Sequence, residues 1–116
     1  MDMSADTSLA TKIARLKQIY IESLPAKVKA LRAIHTQLSS PSNITEGINA
    51  LSDLTHKISG SAGSYDFHQI SAVAHDLEYL CRGLQADNIE ACSVHDIAKL
   101  RQDLQGLISM LEVEID

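Results

Sequence analysis

The sequence predicts an all-α protein, an up-and-down antiparallel four-helix bundle with an additional N-terminal helix. Apolar residues recur every three to four positions along most of the chain, and no stretch of useful length alternates with the period of two that a strand requires. The chain is 45% apolar but only 3% aromatic, so aliphatic side chains must fill the core. The connections are short, which favours antiparallel neighbours. At 116 residues, we expect one domain that spans residues 1–116.

Five segments carry an apolar stripe with helical spacing, and each predicts one helix. The first stripe ends near Ser23, and Pro25 suits the first turn of the second helix. The third helix runs from about Ile44 to Gly63, a polar connection over 85–92 follows the fourth, and Ser93 can cap the fifth. In chain order, the stripes contain Leu9, Ile13, Leu16 and Tyr20; Val28, Leu31, His35 and Leu38; Ile44, Ile48, Leu51, Thr55, Ile58 and Ala62; Ile70, Val73, Ala74, Leu77, Cys81 and Leu84; and Val94, Ile97, Leu100, Leu104, Ile108 and Leu111.

The composition excludes several kinds of partner. All five stripes can be buried within one bundle, so we expect a monomer. The formal net charge of −5 argues against nucleic acid, because nucleic-acid binders need a basic surface. No apolar run reaches the roughly 18 residues of a membrane span, so we expect no membrane partner. The N-terminus lacks the pattern of a signal peptide, and Cys81 and Cys92 are expected to be free thiols, which favours a cytoplasmic location.

The most informative part of the sequence is the stretch THKISGSAGSYDF, which begins at Thr55 on the third predicted helix. Its histidine, His56, lies about 120° round the helix from the centre of the core stripe and should be exposed. Gly60 and Gly63 follow one and two turns on. A glycine inside a helix costs about 0.5–1 kcal/mol, so two of them beside one histidine suggest a surface kept open to an approaching partner.

The chemistry of an exposed histidine fits a nucleophile. A neutral imidazole keeps a lone pair on one nitrogen, which can attack a phosphoryl group held in line. Such a transfer also needs charge neutralisation, but the chain has no Walker loop and no clear metal cage. We therefore expect no cofactor of its own, with Mg²⁺ supplied by the partner. The alternative is that His56 is an ordinary surface histidine and that the glycines only end a helix.

Several positions of this stretch agree with one known signature. The chain resembles the histidine phosphotransfer (HPt) domains, in which a histidine is followed by an aliphatic residue at +2, Gly at +4 and small residues from +5 to +8. Downstream, the run Ala74-His75-Asp76-Leu77-Glu78 is similar to the family's small-x-x-Leu-Glu. The residues that match the first signature are His56, Ile58, Gly60, Ser61, Ala62, Gly63, Ser64 and Tyr65.

The resemblance implies a phosphotransfer protein of cytoplasmic two-component signalling. His56 would receive a phosphoryl group from a receiver-domain aspartate or a histidine kinase and pass it on. The protein would be an intermediate without independent catalytic activity, alone or as a module of a larger signalling protein. The residues expected to contact a partner are Asn49, Ser52, Lys57, Ser59, Gly60 and Gly63.

Two positions depart from the family pattern. Ser59 stands where the family usually has a lysine, and Lys57 points about 100° away from His56 round the helix, so it is a poor substitute. Asp66 replaces the glycine of the following turn. Aspartate tolerates the left-handed backbone conformation better than most residues, so we expect the turn to survive.

Three other interpretations remain open on the sequence. The chain could be the phosphoacceptor domain of a chemotaxis-type histidine kinase, or a helical module that docks a receiver domain without phosphotransfer. It could also be a metal-binding bundle, because Cys92 and His95 have the spacing of metal ligands. A zinc site needs three or four convergent ligands, however, and the sequence shows no second close pair.

Overall fold

The computed structural model describes residues 3–89 and 92–115, with side chains described from residue 8 onward. These residues form four α-helices and no strand, so the predicted all-α bundle is confirmed. The helices are α1 (Met3–Gln37), α2 (Ile44–Ser64), α3 (His68–Asp87) and α4 (Val94–Ile115), with a 3₁₀ turn at Pro41–Asn43. Each helix packs against its neighbours in the chain, and α4 closes the bundle against α1.

The core consists of aliphatic side chains contributed by all four helices, as the composition predicts. Complete burial of one such side chain stabilises a fold by roughly 1.5–3 kcal/mol, so these contacts dominate the stability of the bundle. The largest fully buried side chains are those of Leu24, Leu31, Leu38, Ile48, Leu51, Ile58, Leu77, Leu100, Leu104, Leu107, Ile108 and Leu111.

The predicted division of the N-terminal third into two helices is wrong, because α1 continues through Pro25 without a break. A proline inside a helix removes one backbone hydrogen bond and costs about 3 kcal/mol. Pro25 is exposed, whereas Leu24 and Val28 on either side of it are buried against the bundle. The packing of those side chains outweighs the local penalty, so the helix persists.

The first apolar stripe is not buried, contrary to the expectation on which the monomer prediction rests. Leu9, Ile13 and Leu16 are about half exposed or more, and burial on this stripe begins only at Tyr20. With 35 residues, α1 is longer than the 22-residue α4 by about 20 Å at 1.5 Å per residue. The molecule accordingly measures 65 × 25 × 17 Å.

The turn between α2 and α3 fixes the relative position of these two helices. Asp66 adopts the left-handed conformation, with φ of 67°, as the sequence predicts. The backbone N–H of Phe67 donates to the carbonyl oxygen of Ala62 at 2.8 Å. The rings of Tyr20 and Tyr65 stack with centroids 4.9 Å apart, and that of Phe67 lies 5.7 Å from Tyr20. The aromatic cluster therefore ties the turn to α1.

The remaining local predictions concern a helix cap and the thiols. Ser93 caps α4 as predicted: its hydroxyl accepts from the N–H of Asp96 at 3.0 Å, and the Asp96 carboxylate accepts from the N–H of Ser93. Cys81 and Cys92 are both free thiols. Burial raises the pKa of the Cys81 thiol to about 12, so it behaves as a small core residue. None of the helices, over the residues described, is long and apolar enough to cross a membrane.

Candidate functional site

His56 projects from the middle of α2 into solvent. Its side chain is 68% exposed, while Thr55 and Ile58 on the same helix are completely buried. The helical period therefore places the imidazole beside the core stripe rather than within it, as predicted. A ring in this position is open to a large partner.

A buried carboxylate on α3 holds the imidazole. The Nδ1 atom of His56 lies 3.0 Å from Oε2 of Glu78, whose side chain is only 9% exposed. An ionised carboxylate can only accept hydrogen bonds, so Nδ1 carries a hydrogen, and in the neutral imidazole the lone pair is on Nε2. This single contact fixes both the tautomer and the orientation of the ring.

Arg82 completes a three-residue cluster around Glu78. Its Nε and Nη2 atoms donate to the same Oε2 of Glu78 at 2.8 and 2.6 Å. Burial by itself raises the pKa of the Glu78 carboxyl, but the hydrogen bonds from Arg82 and His56, together with the charge of Arg82, outweigh it and leave the pKa below its usual value. Glu78 is thus ionised at neutral pH and can act as an acceptor for His56.

The two glycines near His56 have different surroundings. A Cβ atom built on Gly60 would meet no heavy atom within 4 Å, so this position is open to solvent. A Cβ atom on Gly63 would lie 3.2 Å from the hydroxyl of Ser71 on α3. That hydroxyl donates to the backbone carbonyl of Ser59 at 2.7 Å, which joins the two helices. Gly60 leaves space for a partner, whereas Gly63 allows α3 to approach α2.

The other residues expected to contact a partner divide into accessible and inaccessible positions. Asn49 and Lys57 are exposed, and the side-chain oxygen of Asn49 accepts from Gln85 on α3 at 2.7 Å. Ser59 is half-buried. Ser52 is only 4% exposed, so its predicted place on the partner surface is wrong. It lies on the side of α2 that α3 covers, and a single helical wheel carries no information about that neighbour.

The remaining histidines lack a comparable setting. His35 is half-buried, and burial together with the charges of Arg101 and Arg32 lowers its pKa. The exposed imidazole of His68 lies 3.6 Å from the carboxylate of Asp66, on the turn rather than beside an open strip. Across residues 3–89 and 92–115, no three His, Cys, Asp or Glu side chains come together as metal ligands.

Glu78 and Arg82 lie outside the set of site residues that the sequence predicts. Glu78 is part of the downstream segment that resembles the HPt signature, so the resemblance contained the signal for it. Arg82 follows Glu78 by four residues, the spacing at which opposite charges meet on one face of a helix. Their contact with His56, however, joins residues 22 positions apart and depends on how α2 and α3 pack.

Together, the fold and the site define a helical bundle that presents an exposed histidine whose ring is oriented by a buried carboxylate. The family model of the Hpt domain matches residues 15–111, and the chain belongs to this family. Hpt domains are phosphotransfer modules of two-component signalling, and they interact with receiver domains and histidine kinases. No curated protein and no solved structure matches the chain.

Proposed function

We propose that this chain relays a phosphoryl group through His56, to or from the aspartate of a receiver domain. The observation that supports it most directly is the hydrogen bond from His56 Nδ1 to the buried Glu78. It leaves Nε2 as the only ring nitrogen with a free lone pair, on a side chain that is 68% exposed. A nucleophile prepared in this way needs only a phosphoryl donor that can reach it.

In the forward reaction, Nε2 of His56 attacks the phosphorus atom of the receiver's aspartyl phosphate. The N–P bond forms as the P–O bond to the aspartate breaks, and the aspartate leaves as a carboxylate. The imidazole gains positive charge as the bond forms, and the negative charge of Glu78 stabilises it. The reverse reaction returns the group to an aspartate along the same path. The receiver domain would supply the Mg²⁺ that neutralises the phosphoryl oxygens and the acidic pocket that holds this ion.

Arg82 is our candidate for the positive charge that the family usually provides with a lysine at the position of Ser59. Arg82 and His56 bind the same oxygen of Glu78, so the guanidinium and the imidazole are close neighbours. The Arg82 side chain is 61% exposed, and a guanidinium has five N–H donors, of which Glu78 occupies two. The remaining donors are available to a phosphoryl group on His56.

The partner surface that we propose is the exposed part of α2 around His56. It comprises Asn49, Lys57, Ser59 and the open position at Gly60. Ser52 and Gly63 are excluded from it, because Ser52 is buried and Gly63 packs against α3. Apart from Lys57, the side chains of this surface are short, so another protein's active site can approach the imidazole.

The experiment is incubation of the protein with a phosphorylated receiver domain, followed by a test for acid-labile, base-stable phosphate. The wild type should become labelled, and the His56→Gln variant should not. The matched control is His75→Gln, which removes another exposed histidine, on α3, and should label normally. Full labelling of His56→Gln would refute the assignment. Receiver binding without labelling would instead indicate a docking module, and labelling by a kinase alone would indicate the phosphoacceptor domain of a chemotaxis-type kinase.

A further inference from the structure

The N-terminal part of α1, residues 8–19, is an amphipathic helix whose apolar face, among the described residues, does not pack against the core; we name it the arm. Leu9, Ile13 and Leu16 are 60%, 50% and 47% exposed. They lie on the same face as Tyr20 and Leu24, which are buried in the bundle. The arm therefore continues the core stripe into solvent. An amphipathic helix in a protein gains most of its stability from the packing of its apolar face, so a surface that covers the arm would stabilise it.

A groove that could cover such a stripe opens at the same end of the bundle; we name it the end groove. It has a volume of about 520 Å³, and its apolar lining comes from Phe67, Ile70, Met110 and Val113. Val113 is 73% exposed. The arm leaves the bundle beside this groove, because Lys17 lies over the ring of Phe67 at 5.7 Å.

The charges of the two surfaces are complementary. The arm carries Lys12, Arg15 and Lys17 and no acidic residue, in a chain whose net charge is −5. None of the three cations forms an ion pair with a described side chain. The end groove is bordered by the carboxylates of Asp66 and Glu114, and the one described basic side chain paired with Asp66 is the imidazole of His68, at 3.6 Å. Two basic arms would repel each other, whereas an arm on an acidic groove is favourable.

We propose that the arm of one copy docks into the end groove of a second copy. The arm is the part of α1 before Tyr20, where burial of this stripe begins, so it extends past the end of its own bundle. The arm and the groove lie at the same end of the bundle. In a dimer whose two-fold axis lies beyond that end, both arm–groove contacts therefore form at once. His56 lies eight residues before the end of α2, about 12 Å up the bundle, and stays accessible.

The test is sedimentation equilibrium of the whole chain from roughly 1 to 500 µM, the range suited to a small interface. The wild type should convert from monomer to dimer. Ile13→Glu in the arm and Val113→Glu in the groove should each raise the dimer Kd at least about tenfold. The matched control, Gln18→Glu, adds the same charge about 140° round the helix from Ile13 and should change the Kd by less than about twofold. All three positions are exposed, so circular dichroism should show unchanged helicity.

Mixing the two defective variants separates arm–groove exchange from other modes of association. A mixed dimer of Ile13→Glu and Val113→Glu contains one intact arm–groove contact, whereas either variant alone contains none. The mixture should therefore associate more tightly than either variant by itself. A wild type that remains monomeric over the whole range overturns the proposal, and so does a Val113→Glu variant that dimerises normally, which would indicate arm–arm pairing. A monomer whose arm binds anionic phospholipid vesicles would overturn it in favour of a lipid surface.

Discussion

Glu78 should control the rate of phosphotransfer through His56 without touching the phosphoryl group itself. In the Glu78→Ala variant, His56 Nδ1 and Arg82 both lose the acceptor that they share at Oε2. A hydrogen bond to a charged group contributes about 1.5–3 kcal/mol, and this one should be strongest when the attacking ring becomes positive. If most of that energy is expressed in the transition state, the rate falls by about tenfold to a hundredfold.

The Glu78→Gln variant separates the orientation of the ring from the charge beneath it. Glutamine keeps a side-chain oxygen that can accept from Nδ1, but it carries no negative charge. We expect its transfer rate to fall between those of the wild type and Glu78→Ala. The rates can be measured by rapid quench after mixing with a phosphorylated receiver, and the ¹⁵N shifts of His56 report its tautomer. The reasoning fails if Glu78→Ala transfers at the wild-type rate, or if its imidazole keeps the Nδ1–H tautomer.

The pH dependence of stability, compared between the wild type and Glu78→Gln, tests the ion pairs that Glu78 forms. The pKa of Glu78 in the folded protein lies below its ordinary value of 4.5, so ionised Glu78 stabilises the fold at pH values above 4.5. That contribution is lost as the pH falls through the lowered pKa, where the carboxyl becomes protonated in the folded state too. The advantage of the wild type over Glu78→Gln in thermal unfolding should therefore shrink on acidification below 4.5. An advantage that grows on acidification would contradict the direction of the shift.

Two further predictions concern access to His56 and the charge beside it. The Gly60→Glu variant should fold normally. Its phosphotransfer should be at least about tenfold slower, which corresponds to about 1.4 kcal/mol in the activation free energy, because the glutamate places bulk and negative charge where the phosphoryl donor arrives. The control variant Gly106→Glu makes the same change at an equally open helical glycine on α4 and should leave the phosphotransfer rate unaltered. Equal phosphotransfer rates for the two variants would mean that the partner does not cover Gly60. Arg82→Ala should slow transfer, and Arg82→Lys should recover part of the loss; a wild-type rate in Arg82→Ala would show that the guanidinium serves only to hold Glu78.

Local features of the sequence predicted the parts of the structure that depend on one segment alone. The exposure of His56 follows from the helical period of α2. The turn forms because Asp66 tolerates the left-handed backbone conformation, and α4 begins where the side chain of Ser93 caps it. In each case, the residues that decide the outcome are within a few positions of one another. The helical class follows for the same reason, because the apolar period is a property of each segment.

Features that depend on packing between segments could not be predicted in this way. Pro25 predicts a break, but buried contacts of the surrounding residues with other helices keep α1 continuous. The wheel of α2 assigns Ser52 to an exposed strip, because it shows where the core lies but not where α3 lies. Periodicity likewise shows that Leu9 and Ile13 share one apolar face, but it does not show whether anything covers that face.

The small residues on α2 illustrate how one sequence pattern can serve two physical purposes. The absence of a side chain at Gly63 lets Ser71 come close enough to donate to the carbonyl of Ser59, which sets the distance between α2 and α3. That distance brings the Glu78 carboxylate to 3.0 Å from His56 Nδ1. Gly60, on the same helix but facing open solvent, contributes nothing to this packing. In the proposed relay, Gly63 would therefore act through the orientation of His56, and Gly60 through the approach of the phosphoryl donor.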